Sequence, residues 1–427
     1  MASFDKYKNH GGGAHTKSFE NRTFTYEQLI NYYPKQFLLD ELLTVNSTCD
    51  HINFFFDLKN IMQTVYLEFA IRYMINDSQQ KGSVSSWIFE SFVAFIGFHK
   101  DYIMSRGKTC KFYVFFETGD SGYHKRLDKE YKANRSIDKA FGLEEKELRF
   151  NREIWQKNLL LIEKAGSKLP DVTVIHLRGL EADFIPYYLM SRNKVDMREN
   201  VLNLTYSTDH DLYQNTLIGK KSFLYFRRRQ NFKIIDSSKI VKDFSGDKKS
   251  MKIFADEKYY PLLIAMCGDP GDNVERPLKR VGLDLRIGVV KINKIVQEFA
   301  EICGGMEKIY ETSANLSNDK LIPDDVVKSF KSENTLLKQF VEHNETVMMN
   351  LRLMSFEVLS RVLDDYPTGN MIESRKHIND MIDNKKTANM EPLMESLNRI
   401  KVYPEEKHMI KAYLNKNSSF DEVMSTF

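Results

Sequence analysis

Apolar runs that close on an acid recur along the first half of the chain. HINFFFD (His51 to Asp57) and KFYVFFE (Lys111 to Glu117) are short, rich in aromatic residues and apolar almost throughout. That pattern predicts strands buried on both faces, ending at Asp57 and Glu117. VTVIHL (Val172 to Leu177) predicts a third strand, and VLNLTYSTDHD (Val201 to Asp211) a fourth that runs into an acidic turn. FLYFRRR and NFKIID, between Phe223 and Asp236, fit a hairpin in which Arg227, Arg228 and Arg229 cannot all face one way. Between the strands the apolar spacing changes to that of one helix face, in NIMQTVYLEFAIRYMI (60–75), WIFESFVAFIGFHKDYIM (87–104) and EADFIPYYLMS (181–191), the last with acids at its start. Strands alternating with helices predict an α/β fold: a mainly parallel central sheet flanked by helices. From about residue 257 the pattern is helical to the C-terminus.

In such sheets ligands sit beyond the carboxyl ends of the strands. Here those ends carry Asp57, Glu117, Asp209 and Asp211. Neighbouring carboxylates repel unless a cation sits among them, so the cluster predicts bound metal or strongly raised pKa values. Oxygen donors of this kind suit Mg²⁺ or Mn²⁺, and two such ions can clamp the attacking and leaving oxygens of a phosphodiester displacement. Taken singly, each acid reads more readily as a loop-starting or helix-capping residue than as a ligand; the ordered set is what points to a site.

Composition narrows the class. With 42% hydrophobic and 28% charged residues in 427, the chain has the profile of a soluble globular protein. The net charge of +3 does not by itself announce a nucleic-acid binder. Cys49, Cys110, Cys267 and Cys303 are scattered without CxxC spacing, which argues against a zinc ribbon and a disulfide scaffold and fits a reducing compartment. The start, MASFDKYKNHGGGAHTKSF, lacks an apolar signal core, and no run approaches a membrane span. The expectation is a cytoplasmic protein, in a host cytoplasm if phage-encoded, with no membrane partner.

Five segments, in order from about residue 51 to 290, resemble the 5′-nuclease (flap endonuclease) family, a PIN-like group, and most of all its phage ribonuclease H branch. FFFDLKN is similar to the family's first strand ending in aspartate. VFFETGDSGYHKRLDKEYKANR (Val114 to Arg135) resembles the segment in which a strand-end acid precedes an aromatic-basic helix closing on Tyr-Lys-x-Asn-Arg. LEADFIPYYL resembles the Glu-Ala-Asp motif, STDHDLYQ the Gly-Asp-x-Asp-Leu-x-Gln motif, and CGDPGDNV the Gly-Asp-x-x-Asp-Asn motif opening a helix–turn–helix element that grips duplex DNA.

The resemblance implies roles. Glu181, Asp183, Asp209 and Asp211 would hold two or more divalent ions, with Asp57, Glu117, Asp269 and Asp272 completing the site directly or through water. Lys132 and Arg135 would meet the phosphate backbone as catalytic cations; Tyr131 would stack on a base, and Tyr123, Lys125 and Arg126 would contact substrate. The implied organisation is an N-terminal extension (1–50), a metal-dependent catalytic domain (51–250) with a helical arch at about 123–168, a helix–turn–helix element (251–300) and a helical C-terminal region (301–427). The implied activity is that of a monomeric 5′→3′ exonuclease and flap endonuclease acting on DNA with a 5′ single-stranded flap or on an RNA–DNA hybrid, alongside replication proteins.

Departures from the pattern are specific. Glu117 replaces an aspartate, Phe184 stands where many members carry another acid, Leu58 and Thr64 replace a glycine and an arginine, and His124 an arginine. After GDPGDNV the chain offers only Gly282 and Gly288 for the turn whose carbonyls bind K⁺, so the potassium site is the implication the sequence supports least. Glu117 and Phe184 motivate an alternative, a catalytically silent structure-specific DNA-binding protein. A PIN-like ribonuclease acting on folded RNA is a further one, against which the EYKANR and GDPGDN segments stand.

Overall fold

The computed structural model describes residues 36–59, much of 92–118, 122–133, much of 159–219, 221–228, 231–237, 256–269, 271–278 and 289–383. The expected helix at 60–75, Arg135, Arg229, the middle of the arch and Gly282 with Gly288 lie outside these residues.

The six strands are β1 (His51–Asp57), β2 (Thr109–Thr118), β3 (Val172–Arg178), β4 (Val201–Ser207), β5 (Ser222–Arg228) and β6 (Asn231–Ile235). They form one sheet in the order β3-β2-β1-β4-β5-β6. All pairings are parallel except β5 with β6, which form the expected antiparallel hairpin closing at Arg228↔Asn231. β1 is buried from Ile52 to Asp57 and β4 along its whole length, as their uninterrupted apolar runs required. Phe55 stacks on Tyr113 of β2 with centroids 5.2 Å apart, and Phe56 on Tyr206 of β4 at 6.0 Å. A buried polar pair bridges these strands: Asn53 Nδ2 donates to Asn203 Oδ1 at 2.9 Å and to the carbonyl oxygen of Asp196 at 2.7 Å, while Asn53 Oδ1 is buried without a hydrogen-bond partner among the described residues.

The chain steps outward from β1 through β2 to β3, then returns to the other side of β1 for β4 and β5. The seam between β1 and β4 is therefore the topological switch point, where an open parallel sheet leaves a crevice beyond its carboxyl ends. Helices surround this sheet. α1 (Gln36–Val45) packs near β6; α2 (Gly122–Leu127) follows β2; α3 (Ile185–Ser191) follows β3. Beyond the sheet the chain is helical, as expected, from α4 (Tyr260–Cys267), α5 (Val289–Asn293) and α6 (Val296–Ile302) through α7 (Met306–Ala314), α8 (Asp324–Ser329) and α9 (Thr335–Glu342) to α10 (Asn344–Met354), α11 (Phe356–Asp365) and α12 (Asn370–Asp383). α10 packs on α4, α11 on α3 and α12 on β3, so the C-terminal helices share one apolar core with the sheet. No helix among the described residues is long and apolar enough to cross a membrane.

Candidate metal centre

The strands deliver the acids to the switch point. Asp57 ends β1 in register with Phe115, and Glu117 projects two residues farther along β2. On the β4 side, Ser207 Oγ donates to Asp57 Oδ2 at 3.2 Å and accepts the backbone N–H of Asp209 at 3.1 Å. Asp209 Oδ1 in turn accepts the N–H of Asp211 at 3.1 Å, which opens a short 3₁₀ helix, Asp211–Leu217. STDHD thus folds as a chain of local side-chain-to-backbone bonds, the usual habit of Ser and Asp at turns.

Two lysine–glutamate pairs close the site. Lys59 Nζ lies 2.5 Å from Glu117 Oε1, while Glu117 Oε2 accepts the N–H of Ala182 at 3.1 Å. The extra methylene of Glu117, compared with aspartate, lets it reach the Glu181-Ala182-Asp183 segment and fix it. Lys132 Nζ lies 2.5 Å from Glu181 Oε1 and 3.5 Å from Asp272 Oδ2, and Tyr131 donates its hydroxyl to Glu181 Oε2 at 3.0 Å. Asp272 comes from the GDPGDN loop, where Asp269 Oδ1 accepts the N–H of Gly271 at 2.7 Å. Gly268, at φ 64°, is irreplaceable in that loop, because a Cβ there would stand 2.8 Å from the carbonyl oxygen of Glu275.

Electrostatics bind these groups into one centre. Burial, and then the charges of Asp57, Glu117, Asp209 and Glu181, push the Asp183 carboxyl well above the usual carboxylate range. Burial, and then Asp209, Asp272 and Asp269, do the same to Asp211, against the opposing charge of Lys132. Burial also opposes ionisation of Glu181, yet His124, Lys132 and the hydrogen bonds from Lys132 and Tyr131 hold its pKa at about 2. All eight acids expected from the sequence therefore enter one network of contacts and fields. The donor set is oxygen only and over-supplied with negative charge, which fits a hard divalent cation. Among the described residues no three His, Cys, Asp or Glu side chains stand close enough together to hold a metal ion by themselves.

The aromatic expectations are corrected. Tyr131 is buried, stacked on His124 with centroids 4.8 Å apart and tied to Glu181, so its ring supports the site rather than offering a face to a base. Tyr123 is buried beside it, edge-on to His124. Lys125 and Arg126 are exposed on α2, where Arg126 Nη2 reaches Thr368 Oγ1 at 3.3 Å. Phe184, at the position where many family members carry another acid, is buried edge-on against Tyr188 in the apolar core.

Three contributors are missed by sequence pattern alone: Lys59, Ser207, and His124 as a buried plate under Tyr131. Of these, Ser207 carries a local signal, next to the acidic turn. Lys59 meets its partner Glu117 across 58 residues of sequence, which no spacing rule reveals.

No family model matches the chain, and no curated protein matches it. Among solved structures the chain is similar to a T5 5′-exonuclease with divalent zinc ions bound, at 16% identity and TM-score 0.49, covering 78% of this chain and 100% of that one. It is similar to the same extent to a bacteriophage T5 flap endonuclease in a complex with DNA and metal ions, at 16% identity, TM-score 0.49 and the same coverage. At that identity the likeness is one of fold alone.

Proposed function

We propose that this chain is a divalent-metal-dependent 5′-nuclease, a structure-specific 5′→3′ exonuclease and flap endonuclease that hydrolyses phosphodiester bonds near the 5′ ends of DNA or of RNA paired to DNA. The observation that carries the reading is the meeting, at the sheet's switch point, of an oxygen-only acidic centre with a lysine from the arch segment. Lys132 reaches Glu181 and Asp272 from a turn outside the sheet, as a cation that neutralises phosphate charge would.

In this reading Glu181, Asp183, Asp209 and Asp211 hold two or more ions, Mg²⁺ or Mn²⁺. Asp57, Glu117, Asp269 and Asp272 complete the shell directly or through water. Bound divalent ions supply charge neutralisation at the phosphate and lower the pKa of water. Glu117 fixes the Glu181–Asp183 segment through the Ala182 N–H, and Ser207 orients Asp57. Lys132, joined by Arg135 on the arch, stabilises the charge that spreads over the non-bridging oxygens. The protein works as a monomer in the cytoplasm, of a host cell if phage-encoded, removing RNA primers or flaps during replication beside other replication proteins. The duplex lies against the element at 251–300.

The test is cleavage of a 5′-labelled flap duplex, with an RNA or a DNA flap, in Mg²⁺, Mn²⁺ and EDTA, with Asp211→Asn protein alongside. Metal-dependent release of short 5′ products, lost in the variant, is the expected result. Tight flap binding without cleavage in either metal would make the protein a silent structure-specific binder.

A further inference from the structure

The GDPGDN loop and the turn that carries Lys132 are fastened to each other by backbone as well as by side chain. The Lys132 N–H donates to the carbonyl oxygen of Asp272 at 2.8 Å. Next to it, Asn273 Nδ2 donates to the carbonyl oxygen of Glu130 at 2.8 Å. Both bonds join residues 130–132 to 272–273, and they flank the Lys132–Asp272 ion pair at 3.5 Å.

The backbone on both sides is unusual. Lys132 has φ 56° and Asn273 φ 60°, the left-handed region that side chains other than Asn and Asp rarely enter. Asn tolerates it; a lysine there is held by its surroundings. In that conformation its ammonium stands 2.5 Å from Glu181 Oε1. The loop is rigid enough to hold it. Asp269 closes it with bonds from Gly271, Asp272 and Val274, and Asn350 of α10 anchors both of its ends, donating to the carbonyls of Ala265 and Glu275 at 2.8 Å each.

We infer that Asn273 is a positioning residue for Lys132: its amide clasps the Glu130–Lys132 turn to the GDPGDN loop and so sets the lysine against the catalytic carboxylates. The inference rests on the nuclease reading for its effect on rate, while the clasp itself can be read without catalysis. Asn273 acts through Lys132. It connects the loop that opens the duplex-facing element to the cation of the reacting centre, so that both are carried on one rigid piece.

The experiment compares Asn273→Gly, which keeps the left-handed backbone without strain, with Asn273→Asp, which keeps size and conformation but cannot donate. Each is made in the wild-type chain and in a Lys132→Ala chain. Single-turnover cleavage of a 5′-labelled DNA flap in Mg²⁺ is expected to slow about 10-fold in both Asn273 variants, since small misplacements of a catalytic group carry costs of that order or larger. In the Lys132→Ala background the same changes are expected to shift the rate by less than about 2-fold, the non-additivity of residues acting through one group. Flap binding in Ca²⁺ stays within about 2-fold, and hydrogen exchange of the amides of 130–133 quickens about 10-fold as the turn loosens. Equal slowing in both backgrounds would overturn the inference, as would unchanged exchange at 130–133. A wild-type chain that never cuts would defeat the nuclease reading instead and leave the exchange measurement to decide the clasp.

Discussion

Gln214 and Phe356 are joined across 142 residues by a buried hydrogen bond, in which the Phe356 N–H donates to Gln214 Oε1 at 3.0 Å. The other end of the same amide donates to the carbonyl of Met354 at 2.8 Å. Gln214 therefore satisfies both sides of the break at Ser355, where α10 ends and α11 begins. It also belongs to the 3₁₀ turn that starts at Asp211. The acidic turn and the C-terminal helices thus share one polar joint inside an apolar core.

That joint predicts a stability effect with a chemical signature. Gln214→Ala leaves a buried donor and acceptor unmet and opens a void, at a cost of about 2–4 kcal/mol. Gln214→Glu keeps an acceptor for Phe356 but sets a carboxylate against the Met354 carbonyl, and is expected to be at least as destabilising near neutral pH. Urea unfolding of the three proteins measures this. A Glu variant as stable as wild type would show that the Met354 contact contributes nothing.

Lys59 supplies the second prediction. Its ammonium occupies an oxygen of Glu117 and adds positive charge to a centre that attracts divalent cations. Lys59→Met removes that competing charge. Divalent binding to the DNA-free protein is expected to tighten by roughly 3- to 10-fold, the scale of one charge at a partly buried site. Titration calorimetry with Mn²⁺ reads it directly, and an unchanged affinity would mean that the lysine's field does not reach the ions.

The fold was legible where one residue's environment is uniform. HINFFFD and VLNLTYS could only be strands buried on both faces, and the acids at their ends followed from the direction of the chain in a parallel sheet. The hairpin and the helical second half were equally open to reading. What local pattern could not give was which acids meet which cations. The Lys132–Asp272 pair spans 140 residues, and the left-handed backbone at Lys132 is imposed by tertiary contacts on a residue with no preference for it. The burial of Tyr131 was hidden for the same reason: the stretch reads as an aromatic-basic surface until His124 and Glu181 are seen against the ring.

The raised carboxyls of Asp183 and Asp211 give a third prediction. Their folded pKa values lie above the ordinary 3.8, so their contribution to stability is fully present below that value and is lost as pH rises through the folded values. Glu181 runs the other way: held at about 2, it contributes above its ordinary 4.5, and that contribution is lost as pH falls toward 2. Divalent binding must displace the protons on the aspartates, so affinity is expected to rise as pH climbs above the ordinary carboxylate range, with net proton release. Calorimetry in two buffers of different ionisation enthalpy measures the release; proton uptake, or none, would contradict the raised values.

Asp211→Asn brings stability and function into opposition. At neutral pH the ionised form of Asp211 is opposed first by burial and then by Asp209, Asp272 and Asp269, so an uncharged side chain of the same shape relieves the metal-free protein. The variant is expected to be more stable by about 1–2 kcal/mol in EDTA, the scale of one buried like-charge conflict removed. Asparagine also keeps a backbone N–H to donate to Asp209, so the turn itself survives. In Mg²⁺ the order reverses: wild type gains ligand-linked stability by binding ions, and the variant gains less. Flap cleavage is expected to fall at least about 100-fold, since a group that holds the ions acts in the transition state. Thermal unfolding with and without Mg²⁺ separates the two effects. A variant less stable than wild type in EDTA would show that Asp211 is held there by contacts rather than strained by its neighbours.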